Sequence, residues 1–351
     1  MNKKTTLLIT VILCSIMLAA VTSCSKDSTT TAISLVEYTG VPLVIFDTDI
    51  SSSTDDLFSL ELLYRYEEQG LCKLLGIVVD REGEDCATCT DVMNTYFGRS
   101  DVPIGLVREG IDNPSVWIDY KDLPHYKTED GHPMFRRSIS DYASLPDGWQ
   151  LYRQLLASQP DRSVSICSVG FVTCLAQLLQ SAPDDISPLS GVELVRKKVK
   201  CAYVMGGVFG EALEADYNFG QGITFAQDFF RLWPSDVDMV LSPAEVGDPI
   251  EYVPEQVISD IFWTDIHPIK QVYLRCNCNT GQKMWDPMTV IHAVEGDSLF
   301  HLSERGIVSL TPNAETIFTP SATGNFRYQK PGTPEWSSSM LQKIRDINRM
   351  H

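Results

Sequence analysis

Short apolar runs alternate with stretches of helical spacing along most of the chain. Residues 41–46 are short, β-branched and apolar at consecutive positions, which predicts a strand buried on both faces. From Leu57 the spacing turns helical, with Leu60, Leu62, Leu63 and Tyr66 able to face a sheet before Gly70 stops the helix. The rhythm continues with a strand at 74–79, a helix at 92–97 and a strand at 102–106. After an interruption it resumes as helix 149–157, strand 164–169, helix 171–179, strand 202–205, helix 225–232 and strand 237–241. A last helical stretch covers 288–294, and the extended pattern at 307–310 suggests a small terminal hairpin. Such alternation predicts an α/β fold: a mainly parallel central sheet, open and Rossmann-like, with helices on both faces.

The interruption, residues 112–147, is rich in Pro, Gly, Asp and aromatics and reads as an insertion or active-site flap rather than core. The N-terminus obeys a different logic. Lys3 and Lys4 precede an apolar run at 7–21 that is too short for a comfortable membrane span, followed by Val21-Thr22-Ser23-Cys24. This reads as a bacterial lipoprotein signal, 1–23, with Cys24 lipidated and 24–40 as a polar tether to one domain, 41–351. The expected location is the cell envelope, with the membrane reached through the lipid anchor only.

The balance of 46 acidic against 28 basic residues, a formal charge of −18, leaves no basic stripe for a nucleic acid polymer. Cys167, Cys174 and Cys201 fall in apolar patterns and read as small core hydrophobes. Cys86-Ala-Thr-Cys89 and Cys276-Asn-Cys278 have metal-like spacings but no companion histidine pair, which argues against zinc.

In open parallel sheets ligands bind beyond the carboxyl ends of the strands, so the loops that follow strands are where chemistry is to be sought. The segment Asp47-Thr-Asp49-Ile-Ser-Ser-Ser-Thr-Asp55-Asp56 gathers four carboxylates between a strand and a helix. Like charges this close repel, so a bound divalent cation is the economical explanation, and oxygen donors suit calcium, or less well magnesium. Helix capping accounts in part for Asp55 and Asp56, but not for Asp47 and Asp49. Downstream stand Val169-Gly170 after a strand, Met205-Gly-Gly with Asp216-Tyr-Asn218, and Trp285-Asp286-Pro287 at a helix start. Taken alone, Asp286 before Pro287 needs no metal.

As an ordered set these motifs resemble the nucleoside hydrolase family, and Trp285-Asp286 resembles a Trp-Asp subset of it. The resemblance implies that Asp49, Asp56, Asp286 and the Val169 carbonyl hold calcium. It further implies that Asp49 takes a proton from water, while Asp55, Asp216, Asn218 and Met205 contact the sugar of a small riboside. Trp285 stands where many members carry a histidine and would stack on the leaving base; Asp47 would orient its neighbours from behind. The family's usual glycine is missing from the acidic loop, where Ser51 and Ser52 stand. For the proton needed by a leaving base, His125, His132, His267 and His292 are the titratable candidates. A homo-oligomer is compatible with this reading. Two rivals remain: a riboside-binding lipoprotein without catalysis, and a magnesium phosphatase using Asp47 as nucleophile.

Overall fold

The computed structural model describes residues 40–111, 118–276, 278 and 280–351. The signal segment with Cys24, the tether up to residue 39, and residues 112–117 of the expected flap lie outside the described residues. Six parallel strands form the centre: β1 (Leu43–Thr48), β2 (Lys73–Arg81), β3 (Ile104–Ile111), β4 (Val164–Ser168), β5 (Val199–Met205) and β6 (Asp238–Ser242). Beyond them come β7 (Glu251–Tyr252) paired with β8 (Gln282–Lys283), then β9 (His301–Leu302), β10 (Gly306–Leu310), β11 (Thr316–Pro320) and β12 (Phe326–Lys330). The sheet order is β11-β10-β12-β6-β5-β4-β1-β2-β3. The expected hairpin exists as the antiparallel pair β10 and β11, but it is not a separate appendage, because β12 runs parallel to β6 and carries the pair into the main sheet.

The helices among the described residues are α1 (Asp55–Glu68), α2 (Glu84–Tyr96), α3 (Gly148–Ser158), α4 (Thr173–Gln180), α5 (Gly191–Lys198), α6 (Tyr217–Gln221), α7 (Ile223–Leu232), α8 (Ala244–Gly247), α9 (Pro254–Asp260), α10 (Pro268–Arg275), α11 (Trp285–Glu295) and, after the last strand, α12 (Pro334–Asn348). Alternate residues of β1 feed two different cores. Val44 and Phe46 pack with Leu57, Leu60 and Leu63 of α1 and Met288 and Ile291 of α11, while Leu43 and Ile45 pack with Leu151 and Leu155 of α3 and Leu175 of α4. Covering both faces explains why the strand runs are apolar at every position. Burial of each such Leu or Ile side chain is worth about 1.5–3 kcal/mol before chain entropy opposes it.

Strand order reverses between β1 and β4, so the connections after these two strands leave in opposite directions and open a crevice at their carboxyl ends. Segment 118–147 is irregular apart from two single turns, Leu123–His125 and Tyr142–Ser144. It is nevertheless part of the core, since Tyr120, Leu123, Phe135 and Tyr142 are buried in the cluster that holds α1. The eight described cysteines are free thiols, and Cys167, Cys174 and Cys201 are buried as expected. Among the described residues no helix is long and apolar enough to cross a membrane.

Candidate active site

The acidic loop leaves β1 at Thr48 and enters α1 at Asp55. Its sharpest bend is at Ser51, whose φ of 85° is the left-handed conformation that glycine adopts freely. A serine there costs about 1–2 kcal/mol, and neighbouring groups hold it. The Ser51 N–H donates to the Tyr120 hydroxyl (2.8 Å), which itself donates to the Ser53 carbonyl (2.8 Å). The Arg81 guanidinium donates to Ser51 Oγ (3.3 Å), and Cys86 Sγ lies 3.1 Å from the same oxygen. In the loop that lacks the expected glycine, a clamped serine therefore takes up the left-handed bend.

Asp55, Asp56 and Asp286 each present a carboxylate oxygen within 4.8 Å of the others, and all three are buried. Asp286 comes from the first turn of α11, more than two hundred residues away, and its N–H donates to Asp55 Oδ2 (3.3 Å). Gln282 on β8 donates to Asp55 Oδ1 (3.2 Å), the Ser53 hydroxyl donates to the same oxygen, and the Thr48 hydroxyl donates to Asp56 Oδ1. Asp56 Oδ2 is buried without a hydrogen-bond partner. Asp49 lines the same cleft, its Oδ2 accepting from the Ser52 hydroxyl (2.7 Å). Burial pushes Asp55 up to about 7 and Asp49 up to about 6, and it drives Asp56 and Asp286 well above the usual carboxylate range with help from their neighbours' charges. Arg81 offsets part of the charge on Asp49 and Asp56. Three converging hard oxygens, with an orphaned carboxylate oxygen on one of the three residues, fit a divalent cation. The tight trio contains Asp55, which the family pattern assigns to sugar, rather than Asp49.

Gly170 follows β4 where the two connections nearly touch. A Cβ there would come within 2.8 Å of the Asp49 nitrogen and 3.0 Å of the Thr48 carbonyl carbon. The side-chain amide of Asn218 donates to the carbonyls of Val169 (3.0 Å) and Met205 (3.3 Å), tying the ends of β4 and β5 together. Asp216 caps α6, its two oxygens accepting from the N–H groups of Phe219 and Gly207 (both 2.8 Å), and burial raises it to about 6. Asp47 lies behind the cleft. Its carboxylate accepts from the hydroxyls of Tyr152 (2.8 Å) and Ser168 (3.4 Å), and burial pushes it up to about 7. A buried carboxylate so engaged has no access to a phosphate ester, which removes the phosphatase reading.

The cleft, about 220 Å³, is lined by these carboxylates together with Val169, Met205, Asn218 and Trp285. That is room for a small molecule. No family model matches the chain, and a search of curated proteins gives no match. Solved structures do match. An inosine-guanosine nucleoside hydrolase superposes with a TM-score of 0.64 at 14% identity, covering 87% of this chain and 98% of that one. The inosine-uridine preferring nucleoside hydrolase of Bacillus anthracis gives 0.62 at 14%, covering 88% and 100%. A type III effector protein, XopQ, complexed with adenosine diphosphate ribose gives 0.60 at 15%, covering 88% and 94%.

The chain has the nucleoside hydrolase fold.

None of the four histidines singled out in the sequence lines the cleft of this nucleoside hydrolase-like domain. His125 and His132 are exposed, His267 is buried 3.6 Å from Glu61, and His292 is buried between Asp297 (3.0 Å) and Gln329 (2.9 Å). Several site residues escaped the sequence reading. Asp80, at the end of β2, is fully buried and accepts from the Cys174 N–H (3.1 Å); burial and Asp47 push its carboxyl well up. The rule that found Asp49, a carboxylate at the end of an apolar strand run, also points to Asp80. Arg81, Tyr120, Glu214, Tyr217 and Gln282 carried no comparable local signal.

Proposed function

We propose that the cleft hydrolyses the N-ribosidic bond of a nucleoside or related small riboside with calcium as cofactor. The observation that carries this reading is the meeting of Asp55, Asp56 and Asp286 within 4.8 Å, from distant parts of the chain, around an unpartnered buried oxygen at the sheet's switch point. Asp55, Asp56 and Asp286 would hold the ion, with Asp49 and the Val169 carbonyl beside them on the cleft wall. Bound there, calcium supplies charge that acidifies a water. Asp49, raised to about 6 by burial and oriented by Ser52, would take the proton. With its amide N–H groups committed to two carbonyls, Asn218 offers Oδ1 to a ribose hydroxyl, and Asp216 presents its remaining lone pairs beside it. The negative charge of Asp216 and the Asn218 amide dipole favour the oxocarbenium-like transition state of the departing sugar.

Free ribose appearing from a riboside panel with calcium, and its loss on chelation, tests the proposal. Turnover indifferent to chelation would refute the metal's part in it. A riboside receptor without catalysis is the second reading, supported by the lack of histidine among the described residues of the cleft wall, and it predicts saturable binding with no ribose released. The sequence further supports export as a lipoprotein acylated on Cys24.

A further inference from the structure

Apart from the Tyr217 hydroxyl, the titratable side chains described on the cleft wall are all carboxylates. Asp49, Asp55, Asp56, Glu214, Asp216 and Asp286 line it, and among its described lining residues there is no Lys, Arg or His. A divalent ion on the Asp55, Asp56 and Asp286 trio compensates that end of the cleft, leaving Glu214 at its open rim and Asp216 beside it. The hydroxyls are largely committed, since Ser52 donates to Asp49 and Ser53 donates to Asp55.

The remaining wall is flat and apolar. Trp285 lines it with Val208 and Ala244, and the ring is fixed, because its indole N–H donates to Asp248 Oδ1 (2.9 Å). The residue also packs directly on Gly247, where a Cβ would fall 2.5 Å from Trp285 Cδ1. An aromatic residue on a wall otherwise rich in carboxylates favours a planar cation over a neutral ring. It has no histidine to protonate a departing purine or pyrimidine.

We infer that this cleft selects ribosides whose base is an N-alkylated, positively charged heteroaromatic ring, a class that needs no general acid to depart. The inference rests on the hydrolase reading above. In the reaction the C1′–N bond breaks and both its electrons go to the ring nitrogen, so the base leaves neutral. Water forms the new C1′–O bond and gives its proton to Asp49. No proton is delivered to the base, and the positive charge that Glu214 and Trp285 favour is spent in the same step.

The test compares calcium-loaded protein on nicotinamide β-riboside (cationic base), p-nitrophenyl β-riboside (neutral, self-departing), inosine and uridine. General acids contribute about 10²–10⁴ in rate, so kcat/KM for nicotinamide riboside should exceed that for inosine and uridine by about that factor. It should also exceed that for p-nitrophenyl riboside, and Glu214→Gln should narrow this charged-over-neutral ratio about three- to fivefold, as expected of a rim charge. Cleavage of p-nitrophenyl riboside with no advantage for the cationic substrate overturns the inference and leaves the hydrolase reading standing. Equal rates on inosine and the cationic substrate, with Tyr217→Phe abolishing only the former, overturn it in favour of Tyr217 as the acid. No cleavage of any of the four overturns both.

Discussion

Ser52 fixes one oxygen of Asp49 at 2.7 Å, and burial holds that carboxyl near 6, so the residue is ready to exchange a proton close to neutral pH. Asp49→Asn keeps the shape of the side chain and removes its basicity. Turnover should fall by about 10²–10⁴ with substrate binding largely kept, read as kcat against KM. An unchanged kcat would remove Asp49 from the mechanism. Gly170 makes a different kind of prediction. Because an added methyl would meet main-chain atoms of Thr48 and Asp49, Gly170→Ala must push the β4 and β1 connections apart. The expected destabilisation is about 1–3 kcal/mol in denaturant melts. Calcium affinity should fall with it. Asp49, Asp55, Asp56 and Asp286 were legible because clustered like charges beside buried strands demand an explanation. Asp80 obeys the same rule, but it opens a mixed charged run, Asp80-Arg-Glu-Gly-Glu-Asp85, that reads as an ordinary solvated loop. Arg81 and Tyr120 owe their roles to tertiary contacts, which no local pattern encodes.

At the level of elements, the parallel strands and the helices after them were readable from consecutive apolar runs and helical spacing, since a doubly covered sheet allows few polar positions. Segment 118–147 was misread as lying off the core because its turn-forming residues hide the spacing of its aromatics. Tyr120 shows what that segment does: one hydroxyl accepts from the Ser51 N–H and donates to the Ser53 carbonyl, closing the bend of the acidic loop. Tyr120→Phe removes both bonds and leaves two backbone groups of a buried loop unsatisfied. Stability should drop by about 2–4 kcal/mol, and relief of the left-handed Ser51 should appear as faster amide exchange across residues 49–54. Protection equal to that of the parent would show that Arg81 and Cys86 suffice to hold the loop.

On the scale of the molecule, the N-terminal segment and the buried carboxylates each govern a property of the whole chain. The signal and tether predict that Cys24→Ser abolishes acylation and releases the protein from membranes, as judged by fractionation and mass measurement; attachment retained by an unacylated chain would refute the lipobox. The buried carboxylates link β1, α1 and α11. Unfolded, these aspartates titrate near 3.8; folded without metal, Asp49 and Asp216 rise to about 6, and Asp47 and Asp55 to about 7. Between about pH 4 and pH 7 the folded chain therefore holds protons that the unfolded chain has released, so the metal-free protein loses stability as pH rises through that window. A divalent ion competes with those protons and binds the ionised form, so its benefit should run the opposite way with pH. At a hundredfold excess over Kd, calcium contributes about 2.7 kcal/mol, or roughly 5 °C in Tm for a domain of this size, and most of this should appear at pH 7.5. Calorimetry in chelator and in calcium at pH 5 and pH 7.5 measures both slopes. A Tm that ignores calcium at pH 7.5 would mean that the trio shares protons rather than an ion, and that Asp286 reaches Asp55 for the hydrogen bond alone.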